Sequence, residues 1–135
     1  MMSPPASERL DLRLPASVGV IRQLREAAVA FARVHELRDP DAVGLAVTEA
    51  ATNVVLHAYP DGEQGDIRLV MCPEPERIVV VVRDWGHGMR PRPDSPGLGV
   101  GLPTIATVAG AFSVEAADGA GTLLRMHFDR ARTPA

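Results

Sequence analysis

The chain of 135 residues contains no lysine, so its 14 positive charges are all arginine. This absence excludes mechanisms that need a side-chain amine, including Schiff-base catalysis, the P-loop lysine and the strand lysine of eukaryotic-type kinases. Arginine remains available for phosphate contacts, which its planar fork suits. The single cysteine, Cys72, cannot form an internal disulfide, and no Cys/His spacing suggests a zinc site.

Long apolar runs and an excess of positive charge are also missing. Apolar runs such as residues 78–82 are only a handful of residues long, whereas a membrane span needs about 20. The first residues carry no apolar signal region, so we expect a soluble, cytoplasmic protein with no membrane partner. The net charge is −3 and there is no basic run, which argues against direct nucleic-acid binding.

Periodicity in the first half predicts one strand and two helices. Leu10, Leu12 and Leu14 alternate with charged residues, as in a strand with one wet face. Ser17 is a candidate N-cap for a first helix whose inner face combines Val20 or Ile21 with Leu24, Ala28, Phe31 and Ala32. Asp39 and Pro40 fit the N-cap and N1 positions of a second helix, which we expect to end near Ala58.

The second half predicts four strands and one short helix. We expect strands over residues 66–72 and 78–82, a Gly/Pro-rich loop over 85–101, and a helix that starts at 102 or 103 and ends at Gly110. A hairpin over 112–116 and 122–128 follows. This order predicts an α+β fold, a two-layer sandwich whose mixed, mostly antiparallel sheet is covered on one face by helices. We expect a single domain over residues 8–129, with flexible tails at 1–7 and 130–135.

The second helix carries the first chemical signal. Its apolar residues form a narrow stripe, while the polar side chains from 42 to 56 are only Thr48, Glu49, Thr52 and Asn53. A solvated helix face normally bears several long charged side chains, which this one lacks. Either Glu49 and Asn53 present oxygens to a semi-enclosed site suited to Mg²⁺ and a general base, or they only keep the rim of the helix soluble.

Two glycine clusters follow the most apolar strand, which we expect to lie centrally in the sheet. Asp84 stands at the end of that strand, before Gly86 and Gly88, and either accepts a hydrogen bond from an exocyclic amine or belongs to an ordinary turn. The run Gly97–Gly101 leads into a helix and offers backbone N–H groups to phosphate. It lacks the spacing of a dinucleotide-binding fingerprint.

Taken together, these motifs resemble the GHKL ATP-binding superfamily, in particular its stand-alone anti-sigma-factor serine kinases, over about residues 8–129. The segments that carry the resemblance are Glu49-Ala-Ala-Thr-Asn53 with His57 and Tyr59, Asp84-x-Gly-x-Gly88-Met89, Gly97-x-Gly-x-Gly101, and Gly121-Thr122. The resemblance implies the histidine kinase-like ATPase fold, in which nucleotide lies between the sheet and the helices.

The resemblance also implies roles for individual residues. Glu49 would be the catalytic base, Asn53 the Mg²⁺ ligand, and Asp84 the acceptor for the adenine amino group. The full nucleotide-binding set that it implies is Thr52, Asn53, Asp84, Gly86, Gly88, Met89, Gly97, Leu98, Gly99, Val100, Gly101, Leu102 and Thr122. Only eight residues, 89–96, separate the two glycine motifs, which is shorter than the usual ATP lid of these kinases.

The implied function is an Mg-ATP-dependent protein serine/threonine kinase that phosphorylates an anti-anti-sigma (antagonist) protein and controls a sigma factor. The implied cofactors are ATP and Mg²⁺, and a homodimer is a further possible partner state. The alternative is a nucleotide-regulated protein-binding module of the same fold without phosphotransfer. The short lid favours that alternative.

Overall fold

Five strands and three helices are present in the computed structural model, which describes residues 8–60, 62–87 and 101–131. The strands are β1 (Leu10–Pro15), β2 (Asp66–Pro73), β3 (Arg77–Asp84), β4 (Ala111–Ala116) and β5 (Thr122–Asp129). All five lie within a residue or two of their predicted positions, because apolar alternation or, in β3, a β-branched apolar run is bounded by proline, glycine or acidic turn residues.

The strands form one sheet in the order β1-β2-β3-β5-β4, so β3 is central as predicted. The α+β class is confirmed, with one difference from the predicted mixed sheet: the four pairings among these strands are all antiparallel. The chain crosses from β3 to β4 through a helix, which makes those two strands parallel in direction. They do not touch, because β5 inserts between them and pairs with both.

The helices are α1 (Val18–Val34), α2 (Pro40–Asn53) and α3 (Gly101–Val108). Asp39 caps α2 as predicted, since its Oδ1 accepts a hydrogen bond from the Ala42 N–H at 3.2 Å. Ser17 occupies the N-cap position of α1, but its side chain makes no capping hydrogen bond. The predicted single helix to Ala58 is in fact α2 followed by one π-helical turn, Val54–Ala58.

The core lies between the three helices and one face of the sheet. The predicted stripe of α2 is fully buried, namely Val43, Val47, Ala50 and Val54. It meets alternate residues of the strands, such as Leu69, Val82 and Leu124, which lie side by side across the sheet. Helix α2 packs against α1 on one side and α3 on the other, so it is the middle of the helical layer.

Arg130 and Ala131, the described residues after the last strand, form hydrogen bonds with the rest of the fold. Arg130 forms a bridge with Leu37, and its guanidinium donates to the carbonyls of His35 and Glu74, each at 3.0 Å. The predicted C-terminal tail therefore does not begin at 130. Its remainder, 132–135, and the predicted tail 1–7 lie outside the described residues. Within the described ranges, no helix is long and apolar enough to cross a membrane.

Candidate functional site

Asp84 is the last residue of β3 and lies on the buried face of the sheet. It pairs with Ile67, which in turn pairs with Leu14, and it is 0% exposed. One carboxylate oxygen, Oδ1, accepts the Gly86 N–H at 3.0 Å. Burial raises the pKa of the Asp84 carboxyl, while hydrogen bonds from the backbone N–H groups of Gly86 and Thr122 act in the opposite direction.

Thr122 begins β5 directly beside Asp84, since the next pair along is Leu123 with Arg83. Its side chain is 1% exposed. The preceding residue, Gly121, has a φ of +92°, and a Cβ there would lie 1.9 Å from the Asp84 carbonyl oxygen. Only glycine allows this approach, which brings the start of β5 against the end of β3.

Four buried side-chain atoms have no hydrogen-bond partner within the described part of the chain. They are Asn53 Nδ2, Asp84 Oδ2, Thr122 Oγ1 and Arg83 Nε. Buried polar atoms are nearly always paired in folded proteins, so unpaired ones mark places where a ligand or water completes the structure. Three of the four belong to residues that the sequence predicts to bind nucleotide.

The candidate metal and base residues lie on successive turns of α2. Asn53 is the last residue of the helix and is only 7% exposed, whereas Glu49, one turn earlier, is half-buried and open to solvent. The Thr52 hydroxyl donates to the Thr48 carbonyl at 2.7 Å, so within the described chain it serves the helix itself. His57 lies half-buried in the π-helical turn.

The π-helical turn joins α2 to the segment that follows Asp84. Its last carbonyl, that of Ala58, accepts the His87 N–H at 2.7 Å. The helix that carries Glu49 and Asn53 therefore ends at the same edge of the sheet as Asp84 and Thr122. The structure brings together, at one end of the molecule, acceptors and donors that lie up to 73 residues apart in sequence.

Several predicted nucleotide-binding residues lie outside the described residues, namely Gly88, Met89, Gly97, Leu98, Gly99 and Val100. Gly101 and Leu102 open helix α3. Gly86 is described and follows Asp84 by two residues. The contribution of all of these positions to nucleotide binding stays a prediction.

Two features of the site have no sequence signal of their own. The Tyr59 hydroxyl bonds to the backbone of Asp66 and of Trp85, the residue after Asp84. In the sequence, Tyr59 stands out only as part of the motif that contains Glu49 and Asn53. The guanidinium groups of Arg13 and Arg83 both lie over the Trp85 ring, 3.9 and 4.7 Å from its centroid. Arg13 lies 72 residues before Trp85, and only the pairing of β1 with β2 and of β2 with β3 brings them together.

Comparison with known proteins identifies relatives of this chain. Residues 14–128 match the histidine kinase-like ATPase domain. A stretch of 80 residues is 32% identical to a serine-protein kinase RsbW of Bacillus velezensis and covers 57% of this chain and 49% of that protein. A serine-protein kinase RsbW of Bacillus subtilis is 30% identical over 83 residues, 59% of this chain and 51% of the relative.

An anti-sigma F factor of Clostridium beijerinckii is 30% identical over 100 residues, which cover 66% of this chain and 68% of that protein. The chain thus spans about half the length of the two serine-protein kinases and about two-thirds of the anti-sigma F factor.

Proposed function

The chain belongs to the histidine kinase-like ATPase domain family, and on that basis we propose that it is an Mg-ATP-dependent protein serine/threonine kinase. Its proposed substrate is an anti-anti-sigma antagonist protein, and its proposed target of control is a sigma factor. The relatives named serine-protein kinase and anti-sigma F factor support this choice of activity and partners. The structural observation that carries the proposal is the set of unpaired buried atoms on Asn53, Asp84 and Thr122.

The adenine end of the nucleotide fits the pair formed by Asp84 and Thr122. Asp84 Oδ2 is buried and unpaired within the described chain, so it offers an acceptor to the exocyclic amine of adenine. A guanine base would place a carbonyl oxygen there, opposite a carboxylate that cannot donate. The Thr122 hydroxyl lies beside this acceptor and either donates or accepts. We therefore propose selectivity for adenine over guanine or hypoxanthine.

The phosphate end fits Asn53 as a magnesium ligand. Asn53 is nearly buried; its amide oxygen is the atom that would coordinate the ion, and its amide nitrogen, unpaired among the described residues, would donate to a phosphate oxygen. No cluster of three His, Cys, Asp or Glu side chains in the described ranges could hold a metal unaided. A single carboxamide oxygen is compatible with Mg²⁺, which commonly takes one or two protein oxygens and fills its other positions with phosphate and water. When bound, the ion would neutralise negative charge on the phosphates.

Glu49 is the proposed general base. It stands one helical turn before Asn53 and is half-exposed, so a hydroxyl on a second protein can reach it. In the transfer step the serine or threonine oxygen forms a bond to the γ-phosphorus, the bond from that phosphorus to the bridging oxygen of ADP breaks, and the hydroxyl proton passes to the Glu49 carboxylate.

The test combines binding and phosphotransfer on three proteins. Wild type, Glu49→Gln and the control Glu26→Gln, an exposed carboxylate on α1, are titrated with Mg-ATP by calorimetry. Each is then incubated with γ-labelled ATP and every anti-anti-sigma domain protein of the source genome. We expect all three to bind ATP within about threefold of one another, and Glu49→Gln to lose about 10²- to 10⁴-fold in transfer.

Equal transfer by wild type and Glu49→Gln would remove Glu49 from the proposed role. If wild type binds ATP and an antagonist protein but forms no phosphoprotein, the kinase is wrong and the chain is a nucleotide-regulated binding module. If no variant binds Mg-ATP at millimolar concentration while circular dichroism shows folded protein, the whole proposal fails.

A further inference from the structure

The Tyr59 hydroxyl bridges two strands just beyond the last pair of their ladder. It donates to the Asp66 carbonyl at 2.6 Å and accepts from the Trp85 N–H at 2.9 Å. The register of β2 with β3 ends at Ile67 and Asp84, so Asp66 and Trp85 are the next residues in line. The side-chain oxygen therefore adds one further rung to the ladder, inserted between two backbones that do not bond directly.

The Tyr59 ring is held in a slot that only bare backbone permits. A Cβ on Gly65 would lie 1.9 Å from the ring Cε1, and a Cβ on Gly86 would lie 2.8 Å from the ring Cδ1. The Gly86 Cβ would also come within 2.0 Å of the Ala58 carbonyl oxygen. Because both glycines lie against the ring, its hydroxyl has a fixed position rather than a choice of rotamers.

Trp85, whose N–H donates to the Tyr59 hydroxyl, is also held from the opposite face of the sheet. Arg13 and Arg83 lie on the face that the helices leave uncovered, and their guanidinium groups stack on the Trp85 ring at 3.9 and 4.7 Å. Trp85 is thus fixed through its backbone on the core side and through its ring on the outer side. The same segment is tied to α2 by the His87 N–H on the Ala58 carbonyl.

The position of Asp84 depends on this arrangement. Its Oδ1 is bonded to the Gly86 N–H at 3.0 Å, and Gly86 follows Trp85 directly. A shift of Trp85 therefore moves Gly86, rotates the carboxylate, and redirects the unpaired Oδ2. Tyr59 does not share a hydrogen bond with Asp84 and acts on it through the turn.

We propose that Tyr59 is a positioning residue for Asp84, and that its hydroxyl sets the selectivity of the site for a base with an exocyclic amine. This inference rests on the proposed adenine-binding role of Asp84. It goes beyond that role, because it assigns base selectivity to a side chain outside the predicted nucleotide-binding set. It also explains why the segment 85–87 is anchored to the end of a helix as well as to its own strand.

The experiment compares full-length wild type, Tyr59→Phe and the control Asp39→Ala, which removes a cap at the other end of α2. Each is titrated with Mg-ATP and with Mg-ITP, which has a carbonyl oxygen in place of the amine. We expect Tyr59→Phe to weaken ATP binding about tenfold and ITP binding little, so the ATP-to-ITP preference falls by about the same factor. Asp39→Ala loses stability but keeps the wild-type preference.

Two measurements on the ligand-free protein keep the inference falsifiable if Tyr59→Phe folds poorly. In wild type we expect the Trp85 amide to be protected from hydrogen exchange to the same degree as the amides of β3, because it donates to the Tyr59 hydroxyl. Trp85 is the only tryptophan, so its fluorescence reports on this turn alone. Acrylamide quenching should rise in Tyr59→Phe and stay unchanged in Asp39→Ala.

An unchanged ATP-to-ITP preference in folded Tyr59→Phe would overturn the inference, as would rapid exchange of the Trp85 amide in wild type. Both results leave the kinase proposal standing. Failure of wild type to bind ATP, with a protected Trp85 amide, would instead remove the nucleotide role and with it the selectivity that we assign to Tyr59.

Discussion

At the scale of one residue, Asp84 shows how a proposed binding residue can destabilise the unliganded fold. The carboxylate is fully buried, and one of its oxygens has no partner in the described chain. Burial disfavours the charged form, which is why its pKa is raised. The folded protein therefore binds the Asp84 proton more tightly than the unfolded chain, and ionisation of this group as the pH rises through its raised pKa lowers stability.

We predict that Asp84→Asn raises the Tm of the ligand-free protein at pH 7 and weakens ATP binding roughly 10- to 100-fold. Wild type loses stability as the pH rises from the ordinary carboxyl range through the raised pKa of Asp84, whereas asparagine does not titrate. The Tm advantage of the variant should thus grow between pH 4 and pH 7 in calorimetric scans. A lower Tm than wild type at pH 7 would contradict the role of burial.

Asp11 is the matched control, because its pKa is shifted in the other direction. A hydrogen bond from Arg68 lowers the pKa of the Asp11 carboxyl, and the two side chains lie on the outer face of the sheet. Asp11→Asn should lower stability at pH 7 by less than about 1 kcal/mol, since the pair is exposed to solvent. That loss should vanish as the pH falls through the lowered pKa of Asp11.

The proposed site residues differ in whether the sequence indicates them. Asn53 and Asp84 attract notice as polar residues in an apolar helix and at a strand end, although a rim or turn role fits them as well, and Thr122 is implied only by the family resemblance. Nucleotide binding by all three stays a prediction. Tyr59 was not predictable, since its proposed role depends on where Asp66 and Trp85 end the ladder. The Arg13–Trp85–Arg83 stack depends on the pairing of β1, β2 and β3, which no local pattern shows.

At the scale of elements, the two long helices begin differently although their N-cap residues look alike in sequence. The Asp39 side chain accepts the Ala42 N–H at 3.2 Å and supports a helix with proline at its first position. The Ser17 side chain makes no such bond. A good N-cap residue in the right place is therefore not sufficient for a capping hydrogen bond.

We predict that Asp39→Ala lowers the free energy of unfolding by about 1 kcal/mol, because it removes a cap. Ser17→Ala should change it by less than about 0.5 kcal/mol, because no capping bond is lost. Urea denaturation of the two variants against wild type measures both values. Equal losses would mean that the side-chain bond of Asp39 contributes nothing beyond that of Ser17.

Some features of the elements are set by local sequence and others by contacts that are distant in sequence. Strand and helix positions were predictable from apolar periodicity and from proline, glycine and acidic turns. The π-helical turn over Val54–Ala58 was not, because one wide turn leaves the apolar spacing of a helix almost unchanged. The wholly antiparallel sheet depends on β5 lying between β3 and β4, which is a property of the assembled sheet.

At the scale of the whole molecule, a ligand that completes the buried site should stabilise the entire fold. Binding to the native state adds about 2.7 kcal/mol when free ligand is 100 times its Kd. For a chain of this size we predict a rise in Tm of about 10 °C with saturating Mg-ATP, measured by differential scanning fluorimetry. Chelation of Mg²⁺ should reduce the rise, and Asp84→Asn should lose most of it.

Glu49→Gln serves as the control for that measurement, since in the proposed mechanism the carboxylate would act on the attacking hydroxyl rather than on the bound nucleotide. Its rise in Tm should match wild type. A large loss of the rise in Glu49→Gln would show that Glu49 contributes to ground-state binding, and a full rise without Mg²⁺ would remove the metal from the site.

The insertion of β5 between β3 and β4 also has a consequence for biogenesis. On the ribosome, β3 emerges long before the strand that covers its inner edge, which ends only at Asp129. Such long-range pairing slows folding, and the unpaired apolar edge of β3 stays accessible to chaperones during translation. Thr122 arrives with that strand, so Asp84 and Thr122 come together only after β5 has been synthesised.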